Sequence, residues 1–240
     1  SDFNEFLFNN DYTYHPSLIT VNEESIYIGK STQIKAGVII DASKGPVIIK
    51  KEVIIDSGVV IEGPNYIGEK TYIAPSTKVR SNNIIGPMCK IGGEVSDNNF
   101  LGYSNKVHDG FLGHSYIGEW VNLGANTNNS DLKNNYSSIR IQIGEDNIET
   151  DRKFLGSIIS DYVRTGISTM LNTGTVIGFG ANVYGAGFQP KYIPPFKWGS
   201  ENLTELDKFF HTIEIIKKRR GKSLTESEKV LISKIYADLS

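Results

Sequence analysis

Histidine is the side chain best suited to moving a proton near neutral pH, and the chain has four. His15 lies in the N-terminal segment and His211 near the C-terminus, neither with chemical neighbours in sequence. His108 and His114 share one irregular stretch, NKVHDGFLGHSYIGEWVNLGANTNN. His108 stands beside Asp109 and Gly110, ahead of a cluster of amides at Asn122, Asn126, Asn128 and Asn129. Amides where aliphatic residues would serve a fold point to a polar ligand. Other chemistries lack their residues. His108 and His114 come without an added Cys and no H-E-x-x-H occurs, so no metal site is expected. There is no G-x-S-x-G elbow and no Walker loop.

The elements that must position these residues follow from a repeat. Steps of six from Ile49 reach Ile55, Ile61, Ile67, Ile73, Val79, Ile85 and Ile91. Ile28, Ile34 and Ile40 precede this run. Leu101, Val107, Leu112, Ile117 and Leu123 follow with slips, and Ile159, Thr165, Leu171, Ile177 and Val183 close it. Many of these positions are followed by Gly, as in Ile67-Gly68 and Ile85-Gly86. A period of six fits neither a helix at 3.6 nor a lone strand at two. It fits a prism with one aliphatic side chain per face pointing to the axis and a small residue helping each corner turn. Three faces make a coil of about 18 residues, stacked at the roughly 4.8 Å spacing of strands. The fold class is therefore all-β, a single-stranded left-handed parallel β-helix of hexapeptide repeats with a C-terminal α-helical hairpin. The GFGANVYGAG segment at 178–187 falls on repeat strands and is no dinucleotide fingerprint.

The repeat breaks twice. Residues 125–156 hold a polar loop and then a hairpin: IRIQI, a turn at Gly144-Glu145-Asp146-Asn147, and a return strand. After Gly187, FQPKYIPPFKWG reads as an extended arm because its prolines cannot continue the ladder. Leu206, Phe209, Phe210, Ile213 and Ile216 then form an amphipathic helix ending at Gly221. Thr225-Glu226-Ser227-Glu228 is a capping box, with Leu231, Ile235 and Leu239 as the face behind it. Lys217-Lys218-Arg219-Arg220 reads as a set of macrodipole complements on a solvated face. The resulting organisation is an N-terminal segment over 1–24, a β-helix over 25–187 with the insertion at 125–156, an arm over 188–201 and a helical hairpin over 202–240.

Composition narrows the function classes. Lys plus Arg is 25 and Asp plus Glu is 27, for a net charge of −2, which argues against a nucleic-acid partner. One cysteine, Cys89, excludes a disulfide framework. No apolar run approaches the roughly 20 residues of a membrane span, and SDFNEFLFNN is no secretory signal, so a cytoplasmic protein without membrane contact is expected. The chain opens without Met and its hexads begin early, which reads as the C-terminal part of a longer polypeptide.

The hexads, Lys106-Val107-His108-Asp109-Gly110-Phe111-Leu112-Gly113 and Val121-Asn122-Leu123-Gly124-Ala125-Asn126-Thr127 resemble the acyltransferase half of bifunctional sugar-1-phosphate nucleotidylyltransferase/acetyltransferases. Arg152-Lys153-Phe154-Leu155-Gly156 and Val163-Arg164-Thr165-Gly166-Ile167 look closer to archaeal-type and Bacteroidetes-type members. The resemblance implies a homotrimer with active sites between neighbouring chains, acetyl-CoA as cosubstrate along the later coils, and a small-molecule amino-sugar phosphate as acceptor. It makes His108 the general base on the sugar amine, fourteen residues before Asn122. It makes Asn122 and Asn126 positioning groups and Asn135-Tyr136 the nearest match to a sugar-contacting pair. Lys153 joins Lys78, Arg80, Lys90, Arg140 and Arg152 as candidates for the sugar phosphate. For CoA it implies Arg164 at the phosphates and the backbone near Gly166-Ile167 and Gly185-Ala186.

One departure is chemical: Phe111 stands where the family carries Tyr, removing a hydroxyl from the sugar site. Two other readings therefore stay open. One is a non-catalytic, trimerising or regulatory solenoid attached to a sugar nucleotidylyltransferase. The other is an N-acetyltransferase for a nucleotide-linked amino sugar.

Overall fold

The computed structural model describes residues 11–200 and 202–239. The chain winds as a left-handed parallel β-helix of short strands on three flat faces. The first face carries Ile55, Ile73 and Ile91 in register, the second Ile61, Val79 and Val95, and the third Ile49, Ile67 and Ile85. The partners Ile55, Ile73 and Ile91 are eighteen residues apart, the coil length the hexads predict. All eight in-phase residues from Ile49 to Ile91 are fully buried. Nine strands stack on the third face, the longest ladder among the described residues.

Most corners of the regular coils turn through a left-handed residue three positions after the inward one. Glu52, Lys70, Ser76, Asn82 and Met88 hold φ between 56° and 65°. The glycine that follows the inward aliphatic has a different task. A Cβ on Gly86 would lie 1.9 Å from the Leu101 carbonyl oxygen of the next coil. Those glycines let coils approach closely, whereas residues of many types accept the strained turn at about 1–2 kcal/mol each.

Between Ile91 and Leu112 the sequence pattern misassigns the inward positions. Leu101 is 41% exposed, and Val107 is only partly buried; Phe100 and Lys106 point to the axis instead. The cause is a short coil. Ile91 pairs with Lys106, fifteen residues on, because the step from Ile91 to Val95 takes four residues and that from Val95 to Phe100 takes five. A Cβ on Gly92 would meet the Val107 carbonyl oxygen at 2.0 Å.

Three other expectations change. Where the sequence predicts an extended arm, residues 188–200 continue the solenoid. Tyr192–Ile193 pairs with Val176–Ile177, Trp198 pairs with Asn182, and Phe196 is fully buried. Pro194 and Pro195 fall at a corner, where no ladder hydrogen bond is required of them. In the inserted hairpin Ile143 pairs with Asp146, so the turn is Gly144-Glu145 and the return strand begins at Asp146. The capping box is present, but the second helix buries Ile232 and leaves Leu231 59% exposed.

The two helices, α1 (Leu206–Lys218) and α2 (Glu226–Ala237), pack on the corner between the third and first faces. That corner presents Tyr103, Trp120 and Tyr162 in the left-handed conformation. Tyr103 stacks on Trp120 at 4.3 Å, and Phe209 of α1 meets Phe196 edge-on at 4.9 Å. The repeat's strained corners thus become an aromatic seat for the tail. No helix among the described residues is long and apolar enough to cross a membrane. Residues 1–10 of the N-terminal segment lie outside the described residues.

Candidate functional site

His108 occupies the edge between the first and second faces and is exposed. Among the described residues its ring makes no hydrogen bond, so neither Asp109 nor a carbonyl sets its tautomer. Its backbone is held from inside the prism. Lys106 is 1% exposed at the axis, and its Nζ donates to the His108 carbonyl at 2.5 Å and the Gly92 carbonyl at 3.2 Å. Burial pushes the Lys106 ammonium down to about 8, against the pull of Asp109. Sequence reasoning treated Lys106 as part of a motif and not as core. The register with Ile91 is the signal that places it.

The same edge continues through later coils. Asn126 sits there with φ 57°; its N–H donates to the Asp109 carbonyl, and its Nδ2 donates to Ser168 Oγ at 3.3 Å. Beside Ser168, Ile167 is 80% exposed, and Gly185 and Ala186 are exposed one coil further. His108, Asn126, Gly166-Ile167 and Gly185-Ala186 therefore line one continuous edge. Phe111 begins the neighbouring second-face strand, Phe111–Gly113.

Two of the four asparagines serve the fold. Between Phe111–Gly113 and Asn128–Asn129 side-chain amides replace the backbone ladder. Phe111 N–H donates to Asn128 Oδ1, Gly113 N–H donates to Asn129 Oδ1, and Asn129 Nδ2 donates back to the Gly113 carbonyl. Asn65, Asn83 and Asn98 form a similar buried ladder along the edge between the second and third faces.

Asn122 and Arg164 lie outward on the first face in adjacent coils. Asn122 Oδ1 accepts from Asn105 Nδ2 at 3.2 Å. The end of α1 covers this face and encloses a cavity of about 520 Å³, which Asn122 and Arg164 both line.

Asn135, Tyr136 and Lys153 lie elsewhere, on the insertion that leaves the edge between the second and third faces. Tyr136 is 66% exposed, and Asn135 Oδ1 accepts from the Ser137 N–H. His114 anchors that insertion. Its Nδ1 is 2.8 Å from Asp131 Oδ2, its Nε2 is 3.8 Å from Asp97 Oδ2, and its ring stacks on Phe154 at 5.0 Å. The Asp131 hydrogen bond, assisted by Asp97, holds the imidazole above its ordinary pKa against burial. Within one chain a whole face separates these residues from His108. Of the cationic candidates, Arg80 is bound to Glu62 at 2.7 Å and Glu94 at 3.3 Å, Lys78 lies 3.9 Å from Glu94, and Arg140 pairs with Glu149. Among the described residues no group of three or more His, Cys, Asp or Glu side chains could hold a metal ion.

No family model matches the chain. A bifunctional sugar-1-phosphate nucleotidylyltransferase/acetyltransferase of Sulfurisphaera tokodaii is 36% identical over 143 residues, 59% of this chain and 36% of that protein. The bifunctional protein GlmU of Methanocaldococcus jannaschii is 32% identical over 144 residues, 55% of this chain and 34% of that protein. The chain thus spans about a third of the length of these curated relatives. Among solved structures, AntD, an N-acyltransferase from Bacillus cereus in complex with dTDP and 3-hydroxybutyryl-CoA, is 13% identical over 91% of this chain and 94% of its own, at a TM-score of 0.32. A likeness of that degree carries no argument about function. By sequence, the chain is similar to GlmU-like bifunctional nucleotidylyltransferase/acetyltransferases over more than half of its length.

Proposed function

We propose that the chain is an acetyl-CoA-dependent N-acetyltransferase acting on an amino-sugar phosphate of the glucosamine-1-phosphate type, and that it works as a trimer. The observation that carries this reading is the exposed, unpartnered ring of His108 on a backbone clamped from beneath by Lys106. The sugar amine attacks the thioester carbonyl, and His108 takes the amine proton as the C–N bond forms. The C–S bond then breaks, and the CoA thiolate leaves with a proton returned from the imidazolium. Asn126 positions the acceptor on the same edge. Acetyl-CoA runs along Gly166-Ile167 and Gly185-Ala186, where exposed Ile167 offers an apolar contact.

Assembly accounts for the separation of the two half-sites. Asn135, Tyr136 and Lys153 lie one face away from His108, and a neighbouring prism would bring a second copy of them to its edge. The third face supports such packing: Ile84 is 55% exposed, Tyr66 37% and Tyr116 41%.

The test is thiol release with acetyl-CoA and glucosamine-1-phosphate, wild type against His108→Ala. Loss of roughly 10²- to 10⁴-fold is expected for removal of a general base. Phe111, and the engagement of Arg80 and Lys78 by carboxylates, favour the scaffold reading. No release together with no calorimetric binding of acetyl-CoA decides for it. Binding without release keeps the transferase class and turns the search to nucleotide-linked amino sugars.

A further inference from the structure

We propose that the cavity between the first face and the end of α1 is a phosphate-binding site closed by the chain's own tail. Its cations come from two sources far apart in sequence. Lys90 and Arg164 project from the prism, and Arg219 and Arg220 follow the last turn of α1. Lys90, Asn105, Asn122 and Arg164 form an outward column over successive coils, about 14 Å long at strand spacing. No carboxylate lines the cavity. Among the described residues none of the four cations forms an ion pair.

The reading of solvated macrodipole complements fits Lys218 but neither Lys217 nor this arrangement. Lys217 is buried over Trp120 and pairs with Glu228; Lys218 is exposed. Arg220 turns away from its helix. Its guanidinium donates to the Met88 carbonyl at 3.0 Å and to Asn105 Oδ1 at 2.7 Å. The nearby acids, Glu119, Asp161 and Glu228, are not among the lining residues. The helix carbonyls that could repel an anion are closed off: the Arg220 and Lys222 N–H groups donate to Lys217, and the Gly221 N–H donates to Lys218.

Four like charges around one concavity repel one another, and two of them, Arg164 and Arg220, also lose hydration. Burial, and after it the Arg219 charge, hold the Arg164 guanidinium below its ordinary value; burial does the same to Arg220. A dianionic group relieves both costs and matches the guanidinium forks. A cavity of about 520 Å³ accepts a small phosphorylated molecule. The net charge of −2 and the enclosure by α1 do not suit a polyanion. Two sources share this chemistry: the phosphate of a sugar and the phosphates of CoA.

Calorimetry on the full chain separates them. Glucosamine-1-phosphate is compared with glucosamine, and CoA with 3′-dephospho-CoA. At least one phosphorylated member should bind tenfold or more tightly than its partner. Arg219→Gln should remove that preference, a loss of roughly tenfold to a hundredfold for one charge-assisted contact, with unchanged thermal melting. Lys218→Gln, an exposed cation outside the cavity, should leave it intact. The proposal is overturned by equal binding within both pairs, by an equal loss in Lys218→Gln, or by no binding at all. Binding needs no turnover, so this outcome is separate from that of the transferase reading. Thiol release with phosphate-indifferent binding sinks the cavity alone. Phosphate preference without release keeps the cavity and counts against glucosamine-1-phosphate as the acetyl acceptor.

Discussion

From Ile49 to Ile91 the prism axis is filled by Ile and Val, the eighteen-residue coils pair strand on strand, and every in-phase position is dry. Between Gly92 and Gly156 the same architecture is assembled differently. A lysine enters the axis, one coil has fifteen residues, amide side chains stand in for a ladder, and a hairpin leaves an edge. The first region is the economical solution, because burying an aliphatic side chain is worth about 1.5–3 kcal/mol and asks for no partner. The second meets more constraints: each buried polar group needs its hydrogen bonds. His108, Asn122 and Asn126 all lie in the second region. Buried amides are not confined to it, since Asn65 and Asn83 pair within the regular coils; the irregular region is the one that holds His108, Asn122 and Asn126.

The contrast can be broken from the regular side. Gly86→Ala drives a Cβ into the Leu101 carbonyl at 1.9 Å and should cost more than about 4 kcal/mol or abolish folding. A urea midpoint like that of wild type would show that coils separate freely.

Lys106 is the next largest effect. Its folded pKa, about 8, lies below the ordinary 10.5, so the unfolded chain binds the extra proton between those values. Stability should therefore rise with pH through that window, by roughly 3 kcal/mol at most, and carry its full penalty below pH 8. Lys106→Met should flatten the rise while lowering thiol release, since the His108 carbonyl loses its donor. A rise that persists in the variant would assign it to other groups.

Asn98→Ala probes the amide ladder. It removes donors to Asn83 Oδ1 and the Leu112 carbonyl and strips the acceptor of the Ser115 N–H. A loss of about 1–3 kcal/mol in chemical denaturation is expected for the buried groups left unpaired. A smaller loss would make the ladder a surplus of the fold.

His114 should give the smallest effect. Its folded pKa is raised, so its contribution is complete below the unfolded value near 6.5 and fades as pH rises through the folded value. Asp131→Asn should remove this pH-dependent contribution, at most about 1 kcal/mol for a partly exposed ion pair. An unchanged profile between pH 6 and 8 would show that the insertion is anchored by Phe154 instead.

Much of the fold is legible in sequence because hexads are local: each aliphatic residue reports one face, whatever the neighbouring coils do. The errors arose where local rules compete. Leu101 and Val107 satisfied the six-step count, yet the five-residue step from Val95 to Phe100 moved Phe100 and Lys106 inward. Pro194 and Pro195 resembled an arm because proline cannot donate, although a corner does not ask it to. The asparagine cluster resembled a ligand site, although Asn128 and Asn129 hydrogen-bond the coil before them. Arg219 and Arg220 read as helix-end charges, because nothing local says which face a tail will cover.

Local spacing along the chain was enough for a three-faced prism, its aliphatic axis, the position of its insertion and the capping box at Thr225. Those features depend on contacts between residues at fixed short spacing. Tertiary structure alone decided that Lys106 sits in the core, that His108 and Ile167 share an edge with Asn126, and that α1 closes a cationic cavity over Asn122 and Arg164. Stacking adds residues from different coils, and packing of the tail adds residues more than a hundred positions away. No periodicity along the chain encodes either distance.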